Sequence, residues 1–439
     1  MRSRPEKVLI ITYYWPPSGG AGVQRWLKFT KYLPSSGWIP VVLTVKPEYA
    51  AYPFRDTSLY GEIPVDVEVH RTKALNFFAL YNKDQSKIPH AGFASGTEKG
   101  LKSTVSRFIR GNFFIPDPRR GWNRFAFRKA CELIRTQGIS HVITTSPPHS
   151  TQLIGLRLKR RFPHLKWIAD LRDPWTEIYY YDMFKPSLPA RMIDRELERR
   201  VLAKADRIIT VGQTLASAFA AIAANIAEKT DVLPNGFDEE DFQGLVPAVP
   251  ERFTITYVGT LSPAYPVQGF INAVRDLKVD GRSVALRFVG TVPEEIAALF
   301  PADDEGKAPE FISYCEHPEA IRHMMSSSML LLIIPDHRSN RSILTGKIFE
   351  YLATEKPILL LGPEDGDAAR LLSMCGYQGI FGYNDVQKIR DFILRVAEGK
   401  TLKRSGHHLE YSRRALAVKL GNILDRLQKG SEQSPESLK

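Results

Sequence analysis

Val8-Leu9-Ile10-Ile11-Thr12-Tyr13-Tyr14, followed after Trp15 by Pro16-Pro17-Ser18-Gly19-Gly20-Ala21-Gly22, decides the fold. The first run is short, apolar and rich in β-formers, so it reads as a strand over Val8–Tyr14. The second is a glycine-rich turn. Beyond it, Val23, Trp26, Leu27, Tyr32 and Leu33 recur at helical spacing over Val23–Leu33, and Ile39–Val45 is apolar again. Strand, glycine turn, helix and strand in that order open a parallel α/β domain. The alternation continues with strands at His141–Thr145, Lys166–Ala169, Arg207–Val211 and Asp231–Pro234, and helices at Thr151–Arg161 and Ala190–Ala205.

Gly244–Pro250 breaks the pattern, with two prolines and no regular period, as a linker does. A second series comes after it, with strands at Thr254–Val258, Ala285–Val289, Phe311–Tyr314, Met329–Ile334 and Pro357–Leu361. Helices are expected at Val267–Leu277, Glu294–Phe300, Pro318–Ser326, Ile348–Ala353 and Ala368–Met374. The fold class is therefore α/β, with two doubly wound parallel-sheet units. The expected boundaries are 1–243, 244–412, a helix over 413–428 that crosses back to the first domain, and a disordered tail over 429–439. Length agrees, since 439 residues exceed what one domain usually holds.

Composition excludes several classes. A 43% hydrophobic share with 25% charged residues is that of a globular protein, not a disordered one. The longest apolar runs, Met329–Pro335 and Pro357–Gly362, fall far short of the roughly 20 residues a spanning helix needs. Only Val8–Ile11 follow the basic start, too short for a secretory signal. Cys131, Cys315 and Cys375 are odd in number and widely spaced, giving neither a disulfide framework nor a metal knuckle, so the chain reads as cytoplasmic. The net charge of +12 calls for an explanation.

Ligands of open α/β sheets bind beyond the carboxyl ends of the strands, and the candidate motifs fall there. Gly19, Gly20 and Gly22 let backbone approach an anion at a helix start, or simply make a tight turn. Their spacing is not the dinucleotide fingerprint. Thr345-Gly346-Lys347 opens a helix after the strand Met329–Ile334, with a cation suited to a diphosphate, and Glu350 lies one turn in, able to accept from vicinal hydroxyls. In isolation Thr345 would be a helix cap and Glu350 a surface residue. Ser146-Pro147-Pro148-His149 and Asp170-Leu171-Arg172-Asp173-Pro174-Trp175 end two neighbouring strands; His149 and Asp173 could act on a hydroxyl, or Asp170 and Arg172 could pair as structural charges. In Asp365-Gly366-Asp367 an aspartate is expected to cap the next helix rather than bind a metal. Residues Thr97–Gln137 hold ten Lys or Arg against three acids, interleaved with seven aromatic or aliphatic residues such as Phe108, Phe113 and Trp122. That mixture suits an anionic membrane surface, a nucleic-acid groove, or a solvated basic face.

Taken together, these motifs resemble glycosyltransferase family 4. The carriers are Pro16-Pro17-x-Gly19-Gly20-x-Gly22, Asp170–Trp175, Val232-Leu233-Pro234-Asn235-Gly236-Phe237-Asp238, Tyr257-Val258-Gly259-Thr260 and Leu344–Ala353, in order along nearly the whole chain. The resemblance implies the GT-B architecture of two facing Rossmann-like domains with a cleft between them. It also implies retaining transfer of a sugar from a nucleotide-sugar donor to a hydroxyl of a glycan or lipid-linked acceptor, with no cofactor and no metal. It suggests cell-surface polysaccharide biosynthesis, in the cytoplasm and peripherally at the inner face of the membrane. Gly19, Gly20 and Gly22 would then lie against the donor diphosphate or acceptor, Gly259 and Thr260 beside the diphosphate, Leu344, Thr345, Gly346 and Lys347 around the phosphates, and Glu350 on the donor ribose. The chain departs from the family at Ser342, where members often carry a glutamate, and at Ser146, where many carry a histidine. Gly259–Gly269 has no basic residue, so Arg338, Arg341 or Lys347 would neutralise the phosphates. Asp173, His149 and Glu350 are the catalytic candidates. The basic excess is then assigned to an anionic membrane surface, with no nucleic-acid partner. Two alternatives stay open: another GT-B enzyme such as a nucleotide-sugar epimerase, and a non-catalytic basic binding protein.

Overall fold

The computed structural model describes residues 5–52, 54–75, 77, 101–178, 181–246, 248–302, 306, 308–400 and 406–432. The chain divides into two compact units, Met1–Pro234 with Arg414–Lys439, and Asn235–Arg413. Residues 97–100 of the basic segment and the tail over 433–439 lie outside the described residues.

The first unit is built on a seven-stranded sheet. Its strands are β1 (Glu6–Ile11), β2 (Trp38–Val45), β3 (Glu68–Thr72), β4 (His141–Ser146), β5 (Lys166–Leu171), β6 (Arg207–Thr210) and β7 (Thr230–Val232). They lie in the order β3-β2-β1-β4-β5-β6-β7, all parallel. Val8, Leu9, Ile10 and Ile11 are buried on both faces, which is why β1 reads as an unbroken apolar run. It ends at Ile11, earlier than expected. The Thr12 hydroxyl donates to the Tyr14 carbonyl, and the Tyr13 ring packs edge-on against Trp122 and Tyr52, drawing the chain out of the sheet. Gly20, with φ of 101°, turns the chain into helix Ala21–Tyr32, whose Val23, Trp26 and Leu27 enter the core.

The last helix, Arg413–Glu432, belongs to this unit for nearly all its length. Leu416, Ala417, Leu420, Ile423 and Leu424 join the core around β1 and β2, and Asp425 accepts from the Trp38 indole at 2.8 Å. It runs past 428 into the segment expected to be a disordered tail. The boundary also moves, from 243 to Pro234. Phe237 packs with Ile321, Ile348 and Phe349 of the second unit, and its N–H donates to the Tyr411 carbonyl, so 235–243 folds as part of that unit.

The second unit has a six-stranded parallel sheet of β8 (Thr254–Val258), β11 (Ala285–Val289), β12 (Glu310–Ile312), β13 (Met329–Ile333), β14 (Ile358–Leu361) and β15 (Ile380–Phe381). Its order is β12-β11-β8-β13-β14-β15, beside a hairpin of β9 (Lys278–Val279) and β10 (Arg282–Ser283). Met329, Leu331 and Ile333 enter one core and Leu330 and Leu332 the other, the period-two alternation of a strand covered on both sides. Both sheets reverse their winding beside their first strand, between β1 and β4 and between β8 and β13. Those are the places where each sheet opens a crevice for a ligand.

Candidate functional site

In the first unit, Ser146 at the end of β4 pairs in register with Leu171 at the end of β5, so the loops after them are neighbours. Asp170 ends up fully buried. It receives Arg25 at 3.1 Å, the Trp26 indole at 3.0 Å and the Thr145 hydroxyl at 2.7 Å. Its partner is thus Arg25, not Arg172, and its role is to lock the first helix to the sheet. Arg172 instead donates to the Ser146 carbonyl at 2.9 Å and lies over Gly22, where an added Cβ would stand 2.6 Å from its guanidinium. The space at Gly22 is therefore taken by an arginine that was expected to pair with Asp170, while Gly19 faces Phe54 and Gly20 opens on free space. Gly19 donates to the Phe54 carbonyl at 3.1 Å. Asp173 is half-buried; burial pushes its carboxyl up, while Arg172 beside it pulls the other way.

His149 stacks on Trp175, with ring centroids 5.0 Å apart and planes 12° from parallel. Burial lowers its pKa to about 4, against the opposing pull of Asp117 and the Pro174 carbonyl, so the imidazole is neutral near pH 7. Both rings line a pocket with Tyr14, Arg110, Asp117, Arg119, Tyr181 and Asp194. Asp117 fixes the pocket wall by accepting from the Ser150 N–H and hydroxyl, each at 2.8 Å. Asp194 accepts from the Trp175 indole at 2.7 Å and the Tyr181 hydroxyl at 2.9 Å, and Glu198 accepts from Thr176 at 2.6 Å. Burial raises Asp194 to about 6 and Glu198 to about 7. Asp117, Tyr181 and Asp194 were not among the expected residues. Tyr181 and Asp194 sit 32 and 45 residues from His149, and no local spacing links them.

In the second unit the expected residues do meet. Gly259 follows β8 with φ of 125°, a backbone that favours glycine. Lys347 arrives from the loop after β13. Its Nζ donates to the Tyr257 hydroxyl at 2.6 Å and lies 4.1 Å from that ring's centre. A Cβ on Gly259 would stand 2.7 Å from the same Nζ, so the glycine makes room for the cation. Burial lowers Lys347 to about 7, with Glu350 opposing. The Gly259 N–H is taken by the Val289 carbonyl at 2.7 Å, while Thr260 stands exposed beside it. The buried Thr345 hydroxyl has no hydrogen-bond partner among the described residues. Gly346 precedes helix Lys347–Ala353, and Leu344 packs on the core beneath.

Glu350 accepts from His317 Nε2 at 3.0 Å, a partner contributed from a separate helix, His317–Met325. Arg341 does not stand open for phosphate as expected: its Nε reaches both oxygens of Asp365, at 2.8 and 2.9 Å. Asp365 therefore serves that pair, and the cap position of helix Asp367–Met374 falls to Gly366, so neither aspartate caps. Arg338 lies exposed on the turn after β13, and Ser342 donates back to the Ser339 carbonyl. Among the described residues no group of three His, Cys, Asp or Glu is placed to hold a metal. None of their helices is long and apolar enough to cross a membrane.

Residues 19–236 match the model of the glycosyl transferase 4-like domain. No curated protein sequence matches the chain. Among solved structures it is similar to the apo form of the lipopolysaccharide outer core galactosyltransferase WaaB, at 10% identity and a TM-score of 0.59, covering 96% of this chain and 99% of that one. It is similar to OtsA in its apo form, at 14% identity and a TM-score of 0.59, covering 98% and 100%. An E. coli trehalose-6-phosphate protein bound with UDP-2-fluoro glucose aligns at 12% identity and a TM-score of 0.56, covering 98% and 100%.

Proposed function

We propose, for a chain that is a glycosyltransferase family 4-like protein of GT-B fold, transfer of a sugar from a nucleotide-sugar donor to a hydroxyl of a glycan or lipid-linked acceptor. The transfer retains anomeric configuration, needs no metal, and serves cell-surface polysaccharide biosynthesis from the cytoplasmic side of the membrane. One observation carries the reading: a lysine held over Tyr257 beside Gly259, at the crevice of the second sheet. A cation there meets the charge that develops on a departing nucleoside diphosphate. The unpartnered Thr345 hydroxyl is a ready second donor to a phosphate oxygen. Glu350 would accept from the ribose diol, sharing or displacing His317. On the acceptor side, Asp173 and neutral His149 would orient the attacking hydroxyl, with the buried Trp175 ring stacked on the imidazole to hold it. Arg172, over Gly22, adds a charge facing the same loops.

Glu350→Ala tests the donor assignment. Nucleotide-sugar affinity or turnover should fall by about tenfold or more, as expected when a charged hydrogen-bond partner is lost; near-wild-type values for both would remove it. Transfer should persist in EDTA, and activity lost to EDTA and restored by Mn²⁺ would overturn the metal-free mechanism.

A further inference from the structure

Helix Leu188–Lys204 is inside out over its first turns. Its exposed side carries Leu188, Met192 and Ile193, which are 77%, 71% and 53% exposed, while its buried side carries the carboxyls of Asp194 and Glu198. The hydrophobic effect ordinarily sorts these residues the other way. The acids are explained by their bonds to Trp175, Tyr181 and Thr176. The exposed aliphatic side chains are not explained by any contact among the described residues.

Helix Leu101–Phe113, which has no acid, also turns apolar residues outward, with Val105, Phe108 and Phe113 exposed. The two helices are pinned together at Asn112. Its side-chain amide accepts from the Ser187 N–H at 2.7 Å and donates to the Lys185 carbonyl at 3.2 Å, and Ser187 caps the second helix. Phe113 and Leu188 are thus each one residue from this junction.

Charge selects what covers this surface. Residues 101–113 and 177–204 together contain nine Lys or Arg and five acids, of which Asp194 and Glu198 are buried. That leaves nine cations against three outward acids, Glu177, Asp182 and Glu196, a balance of +6. A second copy meeting this face across a twofold axis would set like charge against like. Aromatic and aliphatic residues ringed by cations match the headgroup and acyl boundary of an anionic bilayer. The same elements also wall the pocket, through Arg110, Gly111, Phe184 and Pro186.

We propose that the outer faces of helices Leu101–Phe113 and Leu188–Lys204 form one surface that seats on an anionic lipid bilayer and holds the His149–Trp175 pocket at the membrane. The use of that pocket for a lipid-linked acceptor rests on the transferase reading; the surface itself does not. The test is co-sedimentation of the full chain with vesicles of equal parts phosphatidylglycerol and phosphatidylcholine, and with phosphatidylcholine alone. Wild type should partition onto the anionic vesicles, and Met192→Asp with Ile193→Asp should reduce partitioning by about tenfold or more. Val246→Asp with Val249→Asp, still more exposed in the second unit, should leave it unchanged, and thermal melts establish that both variants are folded. Wild type remaining in solution, equal binding to neutral vesicles, or equal partitioning of the two variants would overturn the proposal. So would a change in sedimentation coefficient that assigns the surface to self-association. Vesicle binding without any sugar transfer would leave the surface standing and remove the transferase reading, whereas transfer without vesicle binding would do the reverse.

Discussion

The two sheets share one winding and differ in the charge they hold at the crevice. Beyond β4 and β5 the first unit holds carboxyls that burial has pushed up, Asp173, Asp194 and Glu198, together with a neutral histidine. Beyond β8 and β13 the second unit holds a lysine that burial has pushed down to about 7. Each group is pushed toward its neutral form, and because the groups differ in sign the two crevices favour different ligands. An anion restores the cation of Lys347. Neutral hydroxyls suit carboxyls that resist ionisation. The topology supplies two equivalent places, and desolvation gives them different electrostatic preferences.

The comparison breaks most visibly at Asp170. Asp170→Ala leaves Arg25 charged and fully buried, and should destabilise the first unit by about 3–5 kcal/mol in urea unfolding. All six tryptophans lie in the first unit, so indole fluorescence follows that unit alone. A loss below about 1 kcal/mol would mean the pair is not what ties helix Ala21–Tyr32 to the sheet. A smaller effect comes from Glu198. Its folded pKa near 7 lies above the ordinary carboxyl value, so the folded state holds a proton that the unfolded chain releases. Stability should therefore fall as pH rises from about 4.5 to about 7, and stay reduced above that. Glu198→Gln keeps an acceptor for Thr176 and removes the titration; it should gain on the order of 2–3 kcal/mol relative to wild type between pH 4 and pH 8. An identical pH profile for the two proteins would show that folding leaves the Glu198 pKa at its ordinary value.

The smallest effect belongs to the second unit. Lys347→Ala should weaken nucleoside diphosphate binding by about tenfold, or 1.4 kcal/mol, in calorimetric titration. The free lysine loses its proton above pH 7 and a bound diphosphate returns it, so wild-type affinity should decline between pH 7 and pH 9. The variant should show no such slope. A wild-type affinity independent of pH would detach Lys347 from the phosphate.

Strands covered on both faces announce themselves, because β1, β8, β13 and β14 are short runs dominated by Val, Ile, Leu and Tyr, and their loops inherit the ligand positions. Thr345 and Lys347 could be placed in a post-strand loop for that reason, whereas Gly259 entered only through the family resemblance. Two edge strands were not legible: β3 is Glu68-Val69-His70-Arg71-Thr72, half-buried and mostly polar, and β15 is two residues long, whereas the edges β7 and β12 were read to within a residue or two. Pairings across large separations were equally hidden. Asp170 and Arg25 are 145 residues apart, and His317 reaches Glu350 from another helix. Nor does periodicity say which face of an amphipathic helix is buried. In helix Leu188–Lys204, Asp194 and Glu198 went in while Leu188, Met192 and Ile193 stayed out, which only the bonds to Trp175, Tyr181 and Thr176 reveal.

The return of helix Arg413–Glu432 to the first unit bears on the order in which the molecule can be completed during synthesis. The chain leaves the first sheet at Pro234, builds the whole second unit, and only then supplies Leu416, Leu420 and Leu424 to the core and Asp425 to Trp38. The domain translated first is thus finished last. The apolar surface around Leu33 and Trp38 waits uncovered through some two hundred codons, a window in which a nascent chain is open to chaperones and to wrong partners.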